Sequence, residues 1–317
     1  MVDLNALPTY RDLPLFEGQD ERHAWGVFGA DDDLGTVNLL TDERVLEASR
    51  LMKRGRAFSL DLTLDLPLRK PLEEGERGRG PYEHHVVTHR GGGDDKLDNF
   101  YLQGSSQWDG LRHIRYREFG YYNGVQDDDL ASDRIGIEKW AEHGIAGRAV
   151  LLDLPRFMGD RFSVHERIAV DGPLIEEIAR HQGVEVRPAD ILLLRTGWMA
   201  NYLALDDEAK ADPAAMDTTV PTPGLDGTQE TAAWLWDHRI VSVAADNIAV
   251  EALPVLDSSF QHRRLIAMFG MPLGELWTLE ALAEDCAEDG VYECFLVAKP
   301  LALPRGVGSP PNALAFK

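Results

Sequence analysis

Five segments dense in aliphatic and β-branched residues are spread along the whole chain: FSLDLTLDL from Phe58, AVLLDL from Ala149, ILLLRT from Ile191, IVSVAA from Ile240 and CFLVAKPL from Cys294. Runs of this length and composition predict strands. Between them lie helical patterns, GPLIEEIARHQ from Gly172, TQETAAWLWDH from Thr228 and LEALAEDCAED from Leu279, each opening on a capping or turn residue. Strands alternating with helices predict an α/β or mixed α+β fold in which helices cover a buried sheet. Pro- and Gly-rich stretches at Lys70 to Pro81 and Ala211 to Gly227 read as long surface loops, because strand patterns resume directly after each. Residues 1–317 are therefore expected to form a single domain.

Charge narrows the partners. Lys and Arg number 32 against 54 Asp and Glu, a net charge of -22, which repels a phosphate backbone and sets nucleic acid aside. The opening MVDLNALPTYRDLPLFEGQDE mixes acids and prolines instead of the basic start and apolar run of a secretory signal. No stretch approaches the roughly 20 apolar residues of a membrane span, so a cytoplasmic protein without membrane contact is expected. The two cysteines, Cys286 and Cys294, lack CxxC spacing and read as small buried residues of a reducing compartment. The acidic triplets Asp31 to Asp33 and Asp127 to Asp129 read as solvated turns rather than cation sites.

Polar and aromatic residues concentrate in NFYLQGSSQWDGLRHIRYREFGYYNG, Asn99 to Gly124. On an extended strand Gln103, Gln107 and Asp109 share one face, since side chains alternate with period two. Three oxygen-bearing side chains then converge and can hold a cation that acidifies water, while His113 stands just outside to pass protons. The plainer alternative is a turn whose Gln and Ser side chains bond loop backbone, with Trp108 as a core aromatic. Tyr121 and Tyr122 are candidates to line a small-molecule pocket together with Trp108. His84, His85 and His89 cluster in YEHHVVTHRGGG; His85 and His89 share a strand face, and His89 is a candidate substrate contact in what otherwise reads as a mobile loop near the site mouth. There is no GxSxG elbow, Walker loop or GxGxxG.

The run QGSSQWDGLRH, Gln103 to His113, resembles the His-x-Gly-Thr-His-x-Asp-x-Pro-x-His signature of the cyclase or kynurenine-formamidase-like metal-dependent hydrolases, in the SQWDGxxH form of a longer-chain branch. WGVFGADDDLGTVNLLTDERV, ADILLLRTGW, AADNIAVEALP and GVGSPPNALAF resemble further blocks of that branch in order. The resemblance implies a swivelling β/β/α fold, Asp109 as metal ligand and catalytic residue, and His113 as catalytic acid-base. It also places His262 and Glu275, in HRRLIAMFGMPLGELWTLEAL, at the family's remaining metal positions. Gln103 and Gln107 stand where the signature has metal-binding His, and Leu111 replaces its Pro. An amide oxygen is a poorer and harder donor than imidazole, so the expected cofactor is a divalent metal, manganese or zinc, with magnesium or calcium as alternatives.

The function implied is hydrolysis of an amide, cyclic imide, lactone or related acyl bond in a small cyclic or aromatic molecule. Two readings compete with it: a metal-independent cyclase or lyase of secondary metabolism, and a non-catalytic binding protein on a degenerate scaffold. The family resemblance further implies a homodimer or homotetramer, with the Lys70 to Pro81 loop as an intersubunit arm.

Overall fold

Four of the five apolar segments become the spine of one sheet. The computed structural model describes residues 3–72, 78–256 and 260–317. Its strands are β1 (Ala57–Ser59), β2 (Glu83–His89), β3 (Gly92–Asp98), β4 (Gln107–Asp109), β5 (Ile145–Asp153), β6 (Ala169–Val170), β7 (Ile191–Arg195), β8 (Gly224–Leu225), β9 (Ser242–Ala245), β10 (Leu273–Glu275), β11 (Glu293–Ala298), β12 (Gly308–Ser309) and β13 (Ala313–Phe316). Nine of them form a mixed sheet in the order β1-β13-β11-β5-β7-β9-β10-β4-β12. The centre, β5-β7-β9-β10, is parallel, and both flanks are antiparallel.

Parallel strands covered on both faces need apolar side chains throughout rather than alternation. β7 fits that rule, Ile191 to Leu194 all being buried, whereas β11 alternates between buried and half-buried positions. The covering helices begin and end where the sequence signals. Asp171 caps Gly172–Gln182 by accepting from Leu174 N at 2.9 Å, and Gly183 closes that helix in the left-handed conformation. Thr228 caps Gln229–Asp237 in the same way.

The structure departs from the sequence reading at three places. FSLDLTLDL pairs in the sheet only over its first residues, because Leu62 N turns to Ser106 Oγ at 2.8 Å instead of continuing the ladder. The Gly-rich tract after His89 is not a loose loop: Gly92 to Asp98 is β3, zipped to β2 over seven residue pairs. The stretch Ala211 to Gly227 is not all surface loop, since it carries the helical turn Pro213–Met216 and buried β8, which pairs with β6. Of the Lys70 to Pro81 loop, residues 73–77 lie outside the described residues.

Cys286 and Cys294 are free and buried, and burial pushes the Cys286 thiol up to about 12. Asp32 bonds Gly35 N at 2.8 Å and Asn38, and Asp33 pairs with Arg134 at 2.6 Å, so this acidic triplet is a turn device. Asp127 to Ala131 is a short helical turn whose Asp127 meets Arg115. No helix among the described residues is long and apolar enough to cross a membrane.

Candidate active site

The antiparallel register of β4 on β10 sets Gln107 directly opposite Glu275 and Asp109 opposite Leu273. Period-two alternation then puts Gln107, Asp109 and Glu275 on one face, with Trp108 on the other. Gly274 opposes Trp108, and a Cβ there would stand 2.8 Å from Trp277 Nε1 and 2.6 Å from Ala244 Cβ. Gln103 is not on the strand, as the spacing argument required, but in the turn before it. It still reaches the same spot because β12 offers Gly308 next to Asp109: a Cβ on Gly308 would lie 2.6 Å from Gln103 Cδ. His262 arrives from the far side, at the start of the helical segment that continues through Arg263–Met268. Residues 168 positions apart are thereby in contact, Gln107 bonding Glu275, while Gln103 and Gln107 both reach Asp109.

Hydrogen-bond chemistry fixes which atom each side chain presents. Gln107 Oε1 accepts from Arg79 Nη1 at 3.1 Å, and its NH2 donates to Glu275 Oε2 and to Asp109 Oδ1 at 3.5 Å. Gln103 Nε2 donates to Asp109 Oδ1 and lies 3.0 Å from His113 Nδ1. An amide nitrogen can only donate, so His113 Nδ1 accepts and the neutral ring carries its proton on Nε2. His262 is set the opposite way. Its Nδ1 sits 2.9 Å from both oxygens of buried Glu251, which only accept, so Nδ1 holds the proton and Nε2 turns to Glu275 Oε1 at 3.0 Å and Asp109 Oδ2 at 3.5 Å. Glu251 also accepts from His262 N at 2.9 Å. His113 thus offers an N–H to the site, and His262 offers Nε2, which donates to Glu275 Oε1 while the ring is charged and can ligate once that proton leaves.

The electrostatics favour positive charge here. Burial pushes the Asp109 carboxyl up, but His113, His262 and Gln103 outweigh burial and hold it below its ordinary value. Burial, and then the Asp109 charge, raise Glu275 to about 7. His262 is raised well above the usual imidazole value: burial opposes its charge, but Glu251, Asp109 and Glu275 prevail. Burial lowers His113 and keeps it neutral.

Asp109 Oδ2 is a buried acceptor with no hydrogen-bond partner among the described residues, a costly state for a carboxylate oxygen. It lies 3.5 Å from His262 Nε2 and 3.7 Å from His113 Nε2. Ligand bonds of about 2.1 Å give donor-to-donor edges of about 3.0 Å in an octahedral shell and about 3.4 Å in a tetrahedral one. His262 Nε2 stands 3.5 Å from Asp109 Oδ2 and 3.0 Å from Glu275 Oε1, close to those edges, and one ligand atom each of Asp109, His113 and His262 all lie within 4.8 Å of one another; carboxylate and imidazole together are a competent donor set. The residues fit a divalent cation.

The other candidates fare differently. Gln103 and Gln107 enter as hydrogen-bond donors to the carboxylates rather than as oxygen ligands, because Arg79 occupies Gln107 Oε1 and both NH2 groups face acids. Trp108 is fully buried, edge-on to Trp277 at 4.8 Å, and Tyr122 is fully buried with its OH on Asp32 at 3.0 Å; both belong to the core and cannot line a pocket. Tyr121 lies under the Arg115 guanidinium, 5.9 Å from the ring centroid, with its hydroxyl on Asp127. His89 stands exposed near the tip of the β2–β3 hairpin. Two participants, Arg79 and Glu251, escaped the sequence reading: Arg79 lies in a loop without a motif. Glu251 had a signal, an acid inside the apolar AADNIAVEALP block.

The family model for cyclases, described as putative cyclase, matches residues 58–252, which include Gln103 to His113 and end before His262. The crystal structure of a novel cyclase aligns with a TM-score of 0.79 at 35% sequence identity, over 93% of this chain and 99% of that one. Isatin hydrolase A from Ralstonia solanacearum aligns with a TM-score of 0.62 at 17% identity, over 87% and 98% of the two chains. An isatin hydrolase bound to the product analogue thioisatinate gives 0.60 and 16% over the same shares; at such identities the likeness is one of fold. No curated protein matches the chain.

Proposed function

The chain belongs to the cyclase family, and from that premise we propose that it is a metal-dependent hydrolase opening an amide, cyclic imide or lactone bond of a small cyclic or aromatic molecule. One observation carries the reading: the buried Asp109 Oδ2, which accepts no hydrogen bond among the described residues, set among His262 Nε2, His113 Nε2 and the Glu275 carboxylate. The isatin hydrolases that share the fold support a cyclic amide as the first substrate class to try.

Asp109, His262 and Glu275 are the residues to hold the ion, with manganese or zinc suited to two carboxylates and an imidazole. A divalent cation so held supplies a Lewis acid that acidifies water and polarises a carbonyl. The chain's own groups do the rest. Glu251 fixes the His262 ring, as outer partners of ligating histidines do. Gln103 and Gln107 orient the two carboxylates, and Gln103 holds the His113 Nε2–H toward the same space, where it donates to the oxygen gaining charge as the carbonyl is attacked. Delivering a proton to the leaving group needs the imidazolium, whose Nδ1–H in turn needs an acceptor, so that step requires Gln103 to present its Oε1.

Elemental analysis of the purified protein, before and after chelation, combined with a screen of cyclic amides, imides and lactones, tests the reading. We expect about one divalent ion per site and activity lost with it and restored by manganese or zinc. One observation favours a second reading, a metal-independent cyclase or lyase: Gln103 and Gln107 turn their NH2 groups, not their oxygens, to Asp109 Oδ1 and Glu275 Oε2, as a site that stabilises charge by donated hydrogen bonds would. Full activity of metal-free protein would decide for that alternative.

A further inference from the structure

A cleft of ≈ 320 Å³ lies beside the active site, large enough for one small ring compound. Its walls include Leu64, Leu68, Tyr82, Phe100 and Tyr101, with Tyr82 and Phe100 edge to face at 6.0 Å. It abuts the catalytic cluster through Gly104, next to Gln103, and through Gly80, next to Arg79. Arg69 supplies its basic group. In a chain with 54 acids against 32 basic residues, every hydrogen bond of Arg69 and Arg79 among the described residues goes to an uncharged oxygen. Arg69 Nη2 donates to Gly104 O at 2.9 Å and Nη1 to Arg79 O at 3.5 Å, while Arg79 Nη1 donates to Gln103 O and Gln107 Oε1. Arg69 Nε is buried with no partner. Burial, and then the nearby Arg79 charge, both work against the Arg69 cation, and among the described residues neither guanidinium of this partly buried pair donates to a carboxylate oxygen, a costly arrangement for a cation. Of the other titratable groups lining the cleft, Asp65 is exposed and His84 is engaged by Asp95 at 2.7 Å.

We propose that this cleft binds an aromatic carboxylate, the ring between Tyr82, Phe100 and Tyr101 and the carboxylate on Arg69. Guanidinium is the side chain whose planar donor pair matches a carboxylate, and apolar aromatic walls around one partly buried cation, with the Asp65 charge out in solvent, suit a ring acid. The inference rests on the hydrolase reading only in taking that acid for substrate or product: opening a cyclic amide or lactone fused to an aromatic ring leaves a carboxylate.

Benzoate and benzamide, neither of them hydrolysed as a ring, separate binding from turnover. Titration of chelator-treated wild-type protein, followed by amide NMR, should show benzoate binding at least about tenfold tighter than benzamide, with shifts at Tyr82, Phe100, Tyr101 and Gly104. R69Q should weaken benzoate by about tenfold to a hundredfold and leave benzamide unchanged, and R69K should recover part of the loss. Equal binding of the two probes by wild-type protein overturns the proposal and needs no variant. So do shifts confined to the Asp109 and His262 region that vanish on chelation, which locate the acid on a metal instead. Because the probes report on metal-free protein, a failed hydrolase reading leaves their result standing, and failed probes leave the hydrolase reading standing.

Discussion

The β2–β3 hairpin and the β4–β10 cluster are built from the same residue types, histidine beside aspartate and glutamate at similar distances. His84 Nε2 lies 2.7 Å from Asp95 Oδ1 in the hairpin, and His262 Nε2 lies 3.0 Å from Glu275 Oε1 in the cluster. What differs is water. The hairpin histidines His84, His85 and His89 are 48%, 44% and 55% exposed, whereas Asp109 and His262 are 1% and 8% exposed. Solvent screens the hairpin pairs to about 0–1 kcal/mol each. In the cluster the same pairs carry desolvation penalties that shift protonation and leave one carboxylate oxygen without a partner. A histidine-acid pattern is therefore no site by itself; burial converts it into one.

The largest test of that contrast separates the two histidine roles inside the cluster. His113→Ala should lower kcat about 10²- to 10³-fold, the effect of losing one donor to a developing oxyanion, with metal content unchanged. Glu251→Gln should weaken metal binding about 10- to 100-fold by freeing the His262 ring, read by competition with a chromophoric chelator. If His113→Ala strips the metal and Glu251→Gln does not, the assignment of ligand and donor is reversed.

A smaller effect asks whether burial alone, without the cluster, suffices. Asp61 accepts from Ala313 N at 2.8 Å, its other oxygen has no partner among the described residues, and burial raises it from 3.8 to about 6. A folded-state value above the unfolded one means that the folded protein binds the proton more tightly. The contribution is full below about pH 4 and is lost as pH rises to about 6. Asp61→Asn keeps an acceptor for Ala313 N and has no charge to bury, so denaturation midpoints should show the variant gaining up to about 3 kcal/mol on wild type between pH 4 and pH 7. A difference between the two proteins that is constant with pH would remove burial as the cause.

The smallest effect is expected in the hairpin. Replacing His85 and His89 together by Gln, with the cleft-lining His84 kept, should change stability by no more than about 0.5 kcal/mol and leave kcat within about twofold, measured by denaturant titration and steady-state kinetics. A tenfold loss of kcat breaks the comparison, because it would give exposed histidines a part in the chemistry.

Local pattern was enough for the elements whose cause is local. The strands around Ala149, Ile191, Ser242 and Cys294 and the helices capped by Asp171 and Thr228 follow from apolar run length and capping chemistry, which any window of a dozen residues contains. The motif from Gln103 to His113 could also be located along the chain, since spacing is a one-dimensional property. Tertiary structure decided everything that depends on which distant backbone lies alongside. The pairing of β4 with β10 places Glu275 opposite Gln107, Gly308 makes room for Gln103, Arg79 reaches the site from a loop without a motif, and Glu251 from a block whose sequence does not say that it meets His262. The same holds for what is not in the site: Trp108 and Tyr122 are core because of what packs on them. Atom-level roles came last, because whether a glutamine offers its oxygen or its nitrogen, and which nitrogen of a histidine keeps the proton, is settled only by the neighbour each one meets after folding.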